Sequence, residues 1–463
     1  MNKKNKDLSG IDSVENDYGF KTDTDYEFIS EPGISKKLIK HISNLKGEPD
    51  WMLKFRLDAY EEFLSQDLPK YGPEIDIDFD DVIYYAKAKG DEAVDWDELP
   101  ENIRDTFDKL GISDDEKSFL AGTGAQFESE MVLKKVKKSL SKKGVIFLSM
   151  DEGLKQHPDL VKEYFGKIVS YKNNKFAALN SAIWSGGTFI YVPKGVDVGM
   201  PLQTYFRINM EKAGQFERTL IVVEEGAKVH YVEGCTAPIY SNSNLHSAVV
   251  EVVAKKNSHV KYSTVQNWSR NVLNFATKKA KAEENAFVEW VDGNVGSGIN
   301  YKYPQIILKG DNSVGNILSV SIARTGQEYD AGGKLAFVGK NTKGKIVNKS
   351  VCLEDGLNNF RSWVNITNNS NANVDVSCDS LVLDKESSAN SYPYYEVKDK
   401  NAFINHEAKV GTIEDEKLFY LKTYGLDESK SKSMIVLGFL EPITKELPFE
   451  YAIELNKLLK MTF

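Results

Sequence analysis

Short apolar runs separated by polar breaks fill the chain from about residue 165 to residue 410. The runs are rich in Val and Ile and are bounded by Gly, Asn and Asp, as at Thr219–Val223, Ala248–Val253 and Ile317–Ile322. Such β-branched runs between turn residues predict strands. Because no long helical pattern fits among them, this part of the chain is predicted to be mainly β.

The polar breaks return at a nearly constant interval. A polar residue or Gly followed by a small residue recurs every 27 to 31 residues, at Gly226, Asn257, Asn285, Asn312, Asn341, Asn371 and Asn401. A fixed period of roughly 20–50 residues is typical of stacked repeats, with layers about 4.8 Å apart. The sequence therefore predicts a parallel β-solenoid, in which residues one period apart lie above one another. The alternative is a set of antiparallel hairpins, in which the matching phase would be chance.

Helical patterns precede the repeats. Residues 1–35 are polar and are expected to form a mobile N-terminus, and residues 36–150 are predicted to form an N-terminal helical region. That region contains the amphipathic segment Trp51–Leu64. A second helical block is predicted from about residue 100 to residue 143, because early carboxylates and late lysines in Glu128–Leu140 suit a helix dipole.

Helical patterns also follow the repeats. The β-helix core is assigned to residues 151–410 and a C-terminal helical domain to residues 411–463. One helix is predicted near Ile413–Lys422, and Asp427 is predicted to cap a second. A last helix is predicted from about residue 447 to residue 459.

Composition excludes several classes of protein. The 463 residues are 41% hydrophobic and 27% charged, which is ordinary for a globular chain, and the net charge of −9 argues against nucleic-acid binding. We find no apolar run of membrane-spanning length and no secretory signal after the basic first residues. Three widely spaced cysteines form no disulfide framework and suit a reducing compartment such as the cytoplasm.

The candidate chemistry lies near the end of the repeats. His406 and Glu407 follow Cys378 by 28 and 29 positions, close to one period. A thiol, an imidazole and a carboxylate are the side chains that bind metal centres. We therefore expect Cys378 and one of the other two residues to lie on neighbouring coils and to share a face.

The cysteines alone cannot hold a cluster. None is part of a CxxC pair, and three thiolates are too few for a four-thiolate iron–sulfur site. A cluster on this chain must use His or carboxylate ligands, or ligands from another chain. Cys352 is interpreted as a small buried hydrophobe and is given no role.

Two other motifs are weak. The run Gly339–Lys345 resembles a phosphate-binding P-loop, but Ile346 replaces the required Ser or Thr and no helix follows. The group of Ser243, His246 and Asp292 suggests nucleophilic catalysis, but nothing in the sequence places a base beside a nucleophile.

Four long motifs carry a resemblance to a known family. They begin at Phe176 (FAALNSAIWSGGTFIYVPKG), Gly214 (GQFERTL), Val232 (VEGCTAP) and Tyr262 (YSTVQNW). The chain resembles the SufB family, the scaffold subunits of the SUF iron–sulfur assembly machinery, from about Leu38 to Leu459. Its C-terminal stretch is similar to SufB rather than to the paralogous SufD family.

The resemblance implies a fold, partners and cofactors. The fold would be a right-handed parallel β-helix between helical ends. The partners would be a SufC-like ATPase that docks on the C-terminal helices, a SufD-like paralogue or a second copy of this chain, and a cysteine desulfurase or its sulfur carrier. The chain would be an assembly scaffold rather than an enzyme, carrying a transient iron–sulfur cluster, with a reduced flavin as a candidate cofactor of the complex.

The resemblance also implies roles for individual residues. Cys378, His406 and Glu407 match the metal-binding assembly site. Cys235 matches the position that accepts persulfide sulfur, and Arg207, Asn209 and His246 match polar residues that pass sulfur through the β-helix. Since thiolate reactivity depends on a lowered pKa, we expect Arg207 or His246 to provide favourable charge to Cys235.

Two rival functions use the same fold. A carbohydrate-active β-helix enzyme needs a cleft with paired carboxylates or a metal-and-Arg site. A purely structural solenoid needs neither the thiols nor the histidines. Only the scaffold requires Cys378.

Overall fold

Two long, mainly parallel sheets form the centre of the computed structural model, which describes residues 20–90, 92–93, 95–109 and 120–446. Strands alternate between the two sheets, so each turn of the chain adds a layer to both, through about eight turns. The predicted β-helix flanked by helical regions is confirmed. The helix predicted at residues 447–459 and the first 19 residues of the predicted mobile N-terminus lie outside the described residues.

The elements have the following bounds. The first sheet contains β3 (Gly122–Phe127), β4 (Glu130–Val136), β7 (Leu202–Arg207), β10 (Lys228–Thr236), β12 (His259–Trp268), β14 (Phe287–Gly296), β17 (Val314–Ala323), β19 (Lys343–Cys352), β21 (Asn373–Val382) and β23 (Phe403–Gly411). The second sheet contains β5 (Ile146–Ser149), β6 (Thr188–Val192), β8 (Gly214–Gln215), β9 (Arg218–Val223), β11 (Asn244–Ala254), β13 (Val272–Ala282), β15 (Ile299–Lys302), β16 (Gln305–Leu308), β18 (Glu328–Phe337), β20 (Leu357–Ile366) and β22 (Ser388–Val397). A separate antiparallel pair is formed by β1 (Tyr26–Ile29) and β2 (Ala86–Ala88). The helices are α1 (Lys36–Lys46), α2 (Asp50–Ser65), α3 (Glu101–Lys109), α4 (Lys138–Ser141), α5 (Met150–Gln156), α6 (Pro158–Tyr164), α7 (Lys175–Ile183), α8 (Asp415–Thr423) and α9 (Glu428–Thr444), with a 3-10 turn at Trp96–Glu98.

Left-handed turn residues explain the repeat. Six of the seven predicted breaks have φ from 45° to 70°: Gly226, Asn257, Asn285, Asn312, Asn341 and Asn371. Gly and Asn tolerate this conformation better than other residues do. The asparagines also stack, since the side chain of Asn285 donates to that of Asn257 at 3.0 Å. Each of these six breaks is therefore a corner of one coil.

The helical block predicted from about residue 100 to residue 143 is wrong at residues 122–136, and residues 110–119 lie outside the described part of the chain. Among the described residues of this block, α3 and the single turn α4 are helical, whereas β3 and β4 form an antiparallel hairpin. β3 also pairs in parallel with β7 and begins the first sheet. This non-local pairing outweighs the local charge gradient that favoured a helix in Glu128–Leu140.

Apart from β3, which already belongs to the first sheet, the parallel strands begin later than the predicted residue 165. Residues 150–183 contain α5, α6 and α7, and the parallel pairing of the second sheet begins with β6 at Thr188. In α7 eight residues from Phe176 to Ile183 are buried. The helix packs against α2 and against the outer face of β11, so its apolar run is a helix–sheet contact rather than a strand.

The C-terminal helices lie against the outer face of the first sheet. In α9, Val436, Leu440 and Ile443 are buried against a row of strand valines that includes Val291 and Val320. Asp427 caps this helix as predicted, because its side chain accepts a hydrogen bond from the backbone N–H of Lys430. Among the described residues, no helix is both long and apolar enough to cross a membrane.

Candidate functional site

Cys378 lies in β21, one layer beneath the final strand of the first sheet. Val376, Cys378 and Ser380 are buried and alternate with half-buried neighbours, so these three side chains point into the solenoid. In register, Cys378 lies beside Asn348 of β19 and Ala408 of β23. The thiol therefore faces the interior next to the end of the β-helix.

His406 and Glu407 lie on that final strand and face opposite sides. His406 pairs with Val376, whereas Glu407 pairs with Ser377. His406 therefore shares the face of Cys378, two residues away along the strand, and its ring lies 5.7 Å from that of Tyr395. Glu407 points outward and forms a 2.7 Å ion pair with Lys409.

The immediate surroundings of Cys378 are polar but supply few ligands. The side-chain amide of Asn348 lies 3.7 Å from its sulfur. Burial raises the pKa of the Cys378 thiol, and hydrogen bonds from Asn348, Ser380 and Ser391 offset this only partly. Within the described residues, no three His, Cys, Asp or Glu side chains converge to hold a metal ion. Cys378 and His406 thus form at most part of a ligand set.

Cys235 lies in β10, deep in the other half of the solenoid. Its side chain is 2% exposed and packs among Phe206, Ile208 and Trp268. Burial raises the pKa of the thiol well above its usual range, and the carboxylates of Glu233 and Glu217 raise it further. The expectation of a lowered pKa is therefore wrong, because desolvation and neighbouring negative charge outweigh the nearby lysines.

His246 lies across the interior from Cys235. Its ring nitrogens bond Glu217 at 2.8 Å and Asn274 at 2.7 Å. Asn274 donates in turn to Gln266, the in-register neighbour of Cys235. The predicted histidine thus belongs to a buried polar network that reaches Gln266, the residue beside the cysteine.

Arg207 and Asn209 face the N-terminal segment instead. The Arg207 guanidinium donates to the carbonyl of Phe20 and lies 4.8 Å from the centre of its ring. Asn209 exchanges two 2.9 Å hydrogen bonds with the backbone of Thr22. Because Arg207 pairs with Thr236 rather than with Cys235, its side chain leaves the strand on the opposite face. In this structure both residues hold the segment at residues 20–22 against the solenoid.

Two columns of inward-facing side chains run through the coils from the layer of Cys235 to the layer of Cys378. We call these twelve residues the polar lane. One column is Glu233, Thr264, Asp292, Ser319, Asn348 and Cys378, and the other is Cys235, Gln266, Asn294, Ser321, Ser350 and Ser380. Five layer spacings of about 4.8 Å separate the two cysteines, so they lie roughly 24 Å apart along the axis.

Two lysines of the second sheet enter the lane. Lys302 lies 3.0 Å from Asp292 and donates to Gln266 at 3.2 Å. Lys278 donates to Thr264 at 2.6 Å and lies 3.6 Å from Glu233. Burial lowers the pKa of Lys302 to about 8 although Asp292 opposes this. Burial alone would raise the pKa of Asp292, but Lys302 and Lys278 together lower it.

Sequence reasoning missed these lane residues. Lys278, Lys302 and Asn348 lie in none of the motifs described above. Glu233 lies in the VEGCTAP motif but receives no role from it, and Asp292 enters only the weak nucleophile group. The sequence did contain a signal for them. The alternation of side chains along each strand places all of these residues on the inward face, where charged residues are rarely found unless they are paired.

Comparison with known proteins identifies the family. Residues 206–439 match the family model described as the SUF system FeS cluster assembly, SufBD core domain, and residues 124–204 match the SufBD protein N-terminal region. The chain belongs to the SufBD family. The chain is 47% identical over 445 residues to the iron-sulfur cluster assembly protein SufB of Bacillus subtilis, covering 96% of each chain. It is 48% identical, over the same shares, to SufBD family proteins of Staphylococcus saprophyticus and Staphylococcus aureus.

Membership of the SufBD family fixes the general role. The chain functions in iron–sulfur cluster assembly in the SUF system, which confirms the resemblance seen in the sequence. The family fits a transient iron–sulfur cluster and implies partners within a SUF complex.

Proposed function

We propose that this SufBD protein is a scaffold that receives persulfide sulfur at Cys235 and builds a cluster at Cys378, on a site that a partner chain completes. The observation that carries this proposal is the position of Cys378. Its thiol lies one layer from the end of the β-helix, beside His406 and at the end of the polar lane, and with these groups alone iron is under-ligated.

Sulfur acceptance is a thiol exchange. The Cys235 thiolate attacks the outer sulfur of a donor persulfide, a new S–S bond forms, and the donor cysteine leaves as a thiolate. Because burial holds Cys235 protonated, a base must first take its proton. The lane carboxylate Glu233, which lies two residues earlier on the same face of β10, is the candidate. The donor is a cysteine desulfurase or its carrier.

Sulfur transfer must cross the lane. At roughly 24 Å, Cys378 cannot attack a persulfide on Cys235 directly. Two electrons from a thiol reductant and one proton convert the Cys235 persulfide anion to a thiolate and hydrosulfide. The anion then moves along a lane that contains the positive charges of Lys278 and Lys302. It meets iron at Cys378.

The partner proposals follow from the surfaces at the end of the chain. The strands β22 and β23 have no further strand beside them among the described residues, so a SufD-like paralogue or a second copy can add its own strands there. A SufC-like ATPase is assigned to the C-terminal helices, where Phe419, Tyr420 and Tyr424 are exposed. ATP hydrolysis belongs to that partner.

The geometry disfavours the carbohydrate-enzyme rival. Glu233 and Asp292 are buried inside the solenoid and lie within 4 Å of Lys278. A sugar needs carboxylates that flank an open cleft, and these two lie in the closed interior.

The test compares two cysteines in adjacent strands of one sheet. The chain is purified from cells with its partners, and iron and acid-labile sulfide are measured for the wild type, Cys378→Ala and the matched control Cys352→Ala. Cys352 is also buried and pairs with Val382, at the far end of the strand that carries Cys378. We expect Cys378→Ala to lose most of the iron and sulfide and the control to keep them. Normal iron and sulfide in Cys378→Ala would reject the scaffold mechanism.

A further inference from the structure

A cavity of about 340 Å³ opens on the outer face of the second sheet, away from the polar lane. It lies between the N-terminus of α7 and strands β13, β16, β18 and β20. Its walls combine lysines, side-chain amides and aromatic rings. No step of cluster assembly proposed above uses it.

The floor of the cavity is a register column. Lys279 pairs with Gln305, Gln305 with Lys334, and Lys334 with Trp363. The two lysines are therefore two layers, or roughly 10 Å, apart along the axis, with an amide between them. Side chains of this length can converge on one anion placed over Gln305.

Neither lysine has a counterion within 4 Å among the described residues. In the part of the chain that the structure describes, the ammonium groups of Lys279 and Lys334 make no hydrogen bond and no ion pair within 4 Å. Lys334 lies instead over the rings of Tyr303 and Trp363, at 5.1 and 5.2 Å. Half-buried ammonium groups without an anion are unfavourable, and burial lowers the pKa of both lysines.

The nearest carboxylates on the flanking strands are engaged elsewhere. Glu251, which pairs with Lys279 in register, accepts hydrogen bonds from Arg218 at 2.9 Å and from backbone N–H groups at residues 166–169. On the other side, Glu396 accepts from Asn365 and lies 2.8 Å from Lys398. The cavity therefore has an excess of positive charge, to which the positive end of α7 adds, because its N-cap Asn174 lines the cavity.

Aromatic side chains line the rest of the cavity. Phe176 and Phe275 stack with centroids 3.7 Å apart, and Trp363 is 42% exposed beside Lys334. A ring that carries an anionic group fits this combination of a basic floor and apolar walls, and the volume lies in the range of small-ligand sites.

We propose that this cavity binds a phosphorylated small molecule, with its phosphoryl group between Lys279 and Lys334. Phosphate alone and a ring-bearing phosphate such as a nucleotide share this chemistry. They differ in whether Trp363 contributes to binding.

The test is calorimetric titration of the full chain with inorganic phosphate and, separately, with AMP. We expect saturable binding of one or both probes and a loss of at least about tenfold in affinity in the double variant Lys279→Gln/Lys334→Gln. The matched control is Lys343→Gln, an exposed lysine of β19 on the other sheet, which should bind as the wild type does. Unchanged melting temperatures in all variants show that folding is preserved.

The two probes distinguish the sources of the phosphate. If AMP binds more tightly than phosphate, and Trp363→Leu weakens AMP alone, the ligand carries a ring. If both bind equally and Trp363→Leu has no effect, the site takes a free oxyanion. Absence of saturable binding of either probe up to about 10 mM, or wild-type affinity in the double variant, would overturn the proposal.

Discussion

At the scale of single residues, burial controls the protonation of the two thiols to which the proposed function assigns roles. Both Cys235 and Cys378 have raised pKa values, because little water reaches either sulfur. A thiol of this kind is inert at neutral pH until a base or a metal removes its proton. The solenoid interior therefore lowers the nucleophilicity of both thiols at neutral pH, and in the proposed function it would protect sulfur bound to them.

Replacing Cys235 with Ser should abolish sulfur accumulation on this subunit and leave the fold intact. The hydroxyl fits the same space but cannot hold a persulfide. The measurement is sulfane and sulfide sulfur on the purified complex, with Cys352→Ser as the buried-cysteine control. Normal sulfur content in Cys235→Ser would argue decisively against entry at this residue.

Lys302 should give the protein a specific pH dependence. Its pKa is about 8 when folded and 10.5 ordinarily, so between these values the unfolded chain binds more protons. The free energy of unfolding therefore gains from this residue as pH rises through that window, by up to roughly 3 kcal/mol. Urea unfolding at about pH 7.5 and about pH 9.5 measures the part of this gain that falls between those two values, roughly 2 kcal/mol. This increase in the free energy of unfolding should be smaller by this amount in Lys302→Met and unchanged in the exposed control Lys309→Met. Equal pH slopes in Lys302→Met and the wild type would contradict the lowered pKa of Lys302.

At the scale of elements, the repeat could be predicted because its signals are local. Elements that depend on pairing with distant residues could not be predicted. The corners at Asn257 and Asn285 were predictable because a left-handed turn selects its residue type. The β3–β4 hairpin was not, because its pairing with β7 depends on residues about 80 positions away. The repeat spacing predicted that His406 lies beside Cys378, whereas in register it lies two residues away along the strand. Because side chains alternate between faces, a shift of two residues leaves His406 on the same face as Cys378.

The two C-terminal helices differ in what they contact, and this sharpens the docking test. α9 covers apolar strand residues, whereas α8 buries none of its residues and exposes Phe419 and Tyr420. Deleting the chain after Gly411 should abolish co-purification of the ATPase but also uncovers the first sheet. Phe419→Ser/Tyr420→Ser should abolish co-purification while keeping the solenoid covered. Retention of the ATPase by this double variant would place the docking surface elsewhere.

At the scale of the whole molecule, the solenoid separates Cys235, the proposed site of sulfur entry, from Cys378, the proposed site of cluster assembly. The polar lane occupies one side of the interior, and apolar side chains such as Tyr262, Trp290 and Ile346 fill the other. The lane ends beneath strands whose outer edge has no partner within the described residues. Neither the length nor the direction of the polar lane could be predicted until the register of the coils was known.

The central claim is that Cys378 supplies one half of a site that a partner completes. The most direct measurement is reconstitution of the isolated chain with iron and sulfide, followed by a chelator, in parallel with the chain bound to its SufD-like partner. We predict that the isolated chain loses its cluster rapidly and that the complex retains it, in a manner that Cys378→Ala abolishes. A cluster that survives prolonged chelation on the isolated chain, or that survives Cys378→Ala in the complex, would contradict the account.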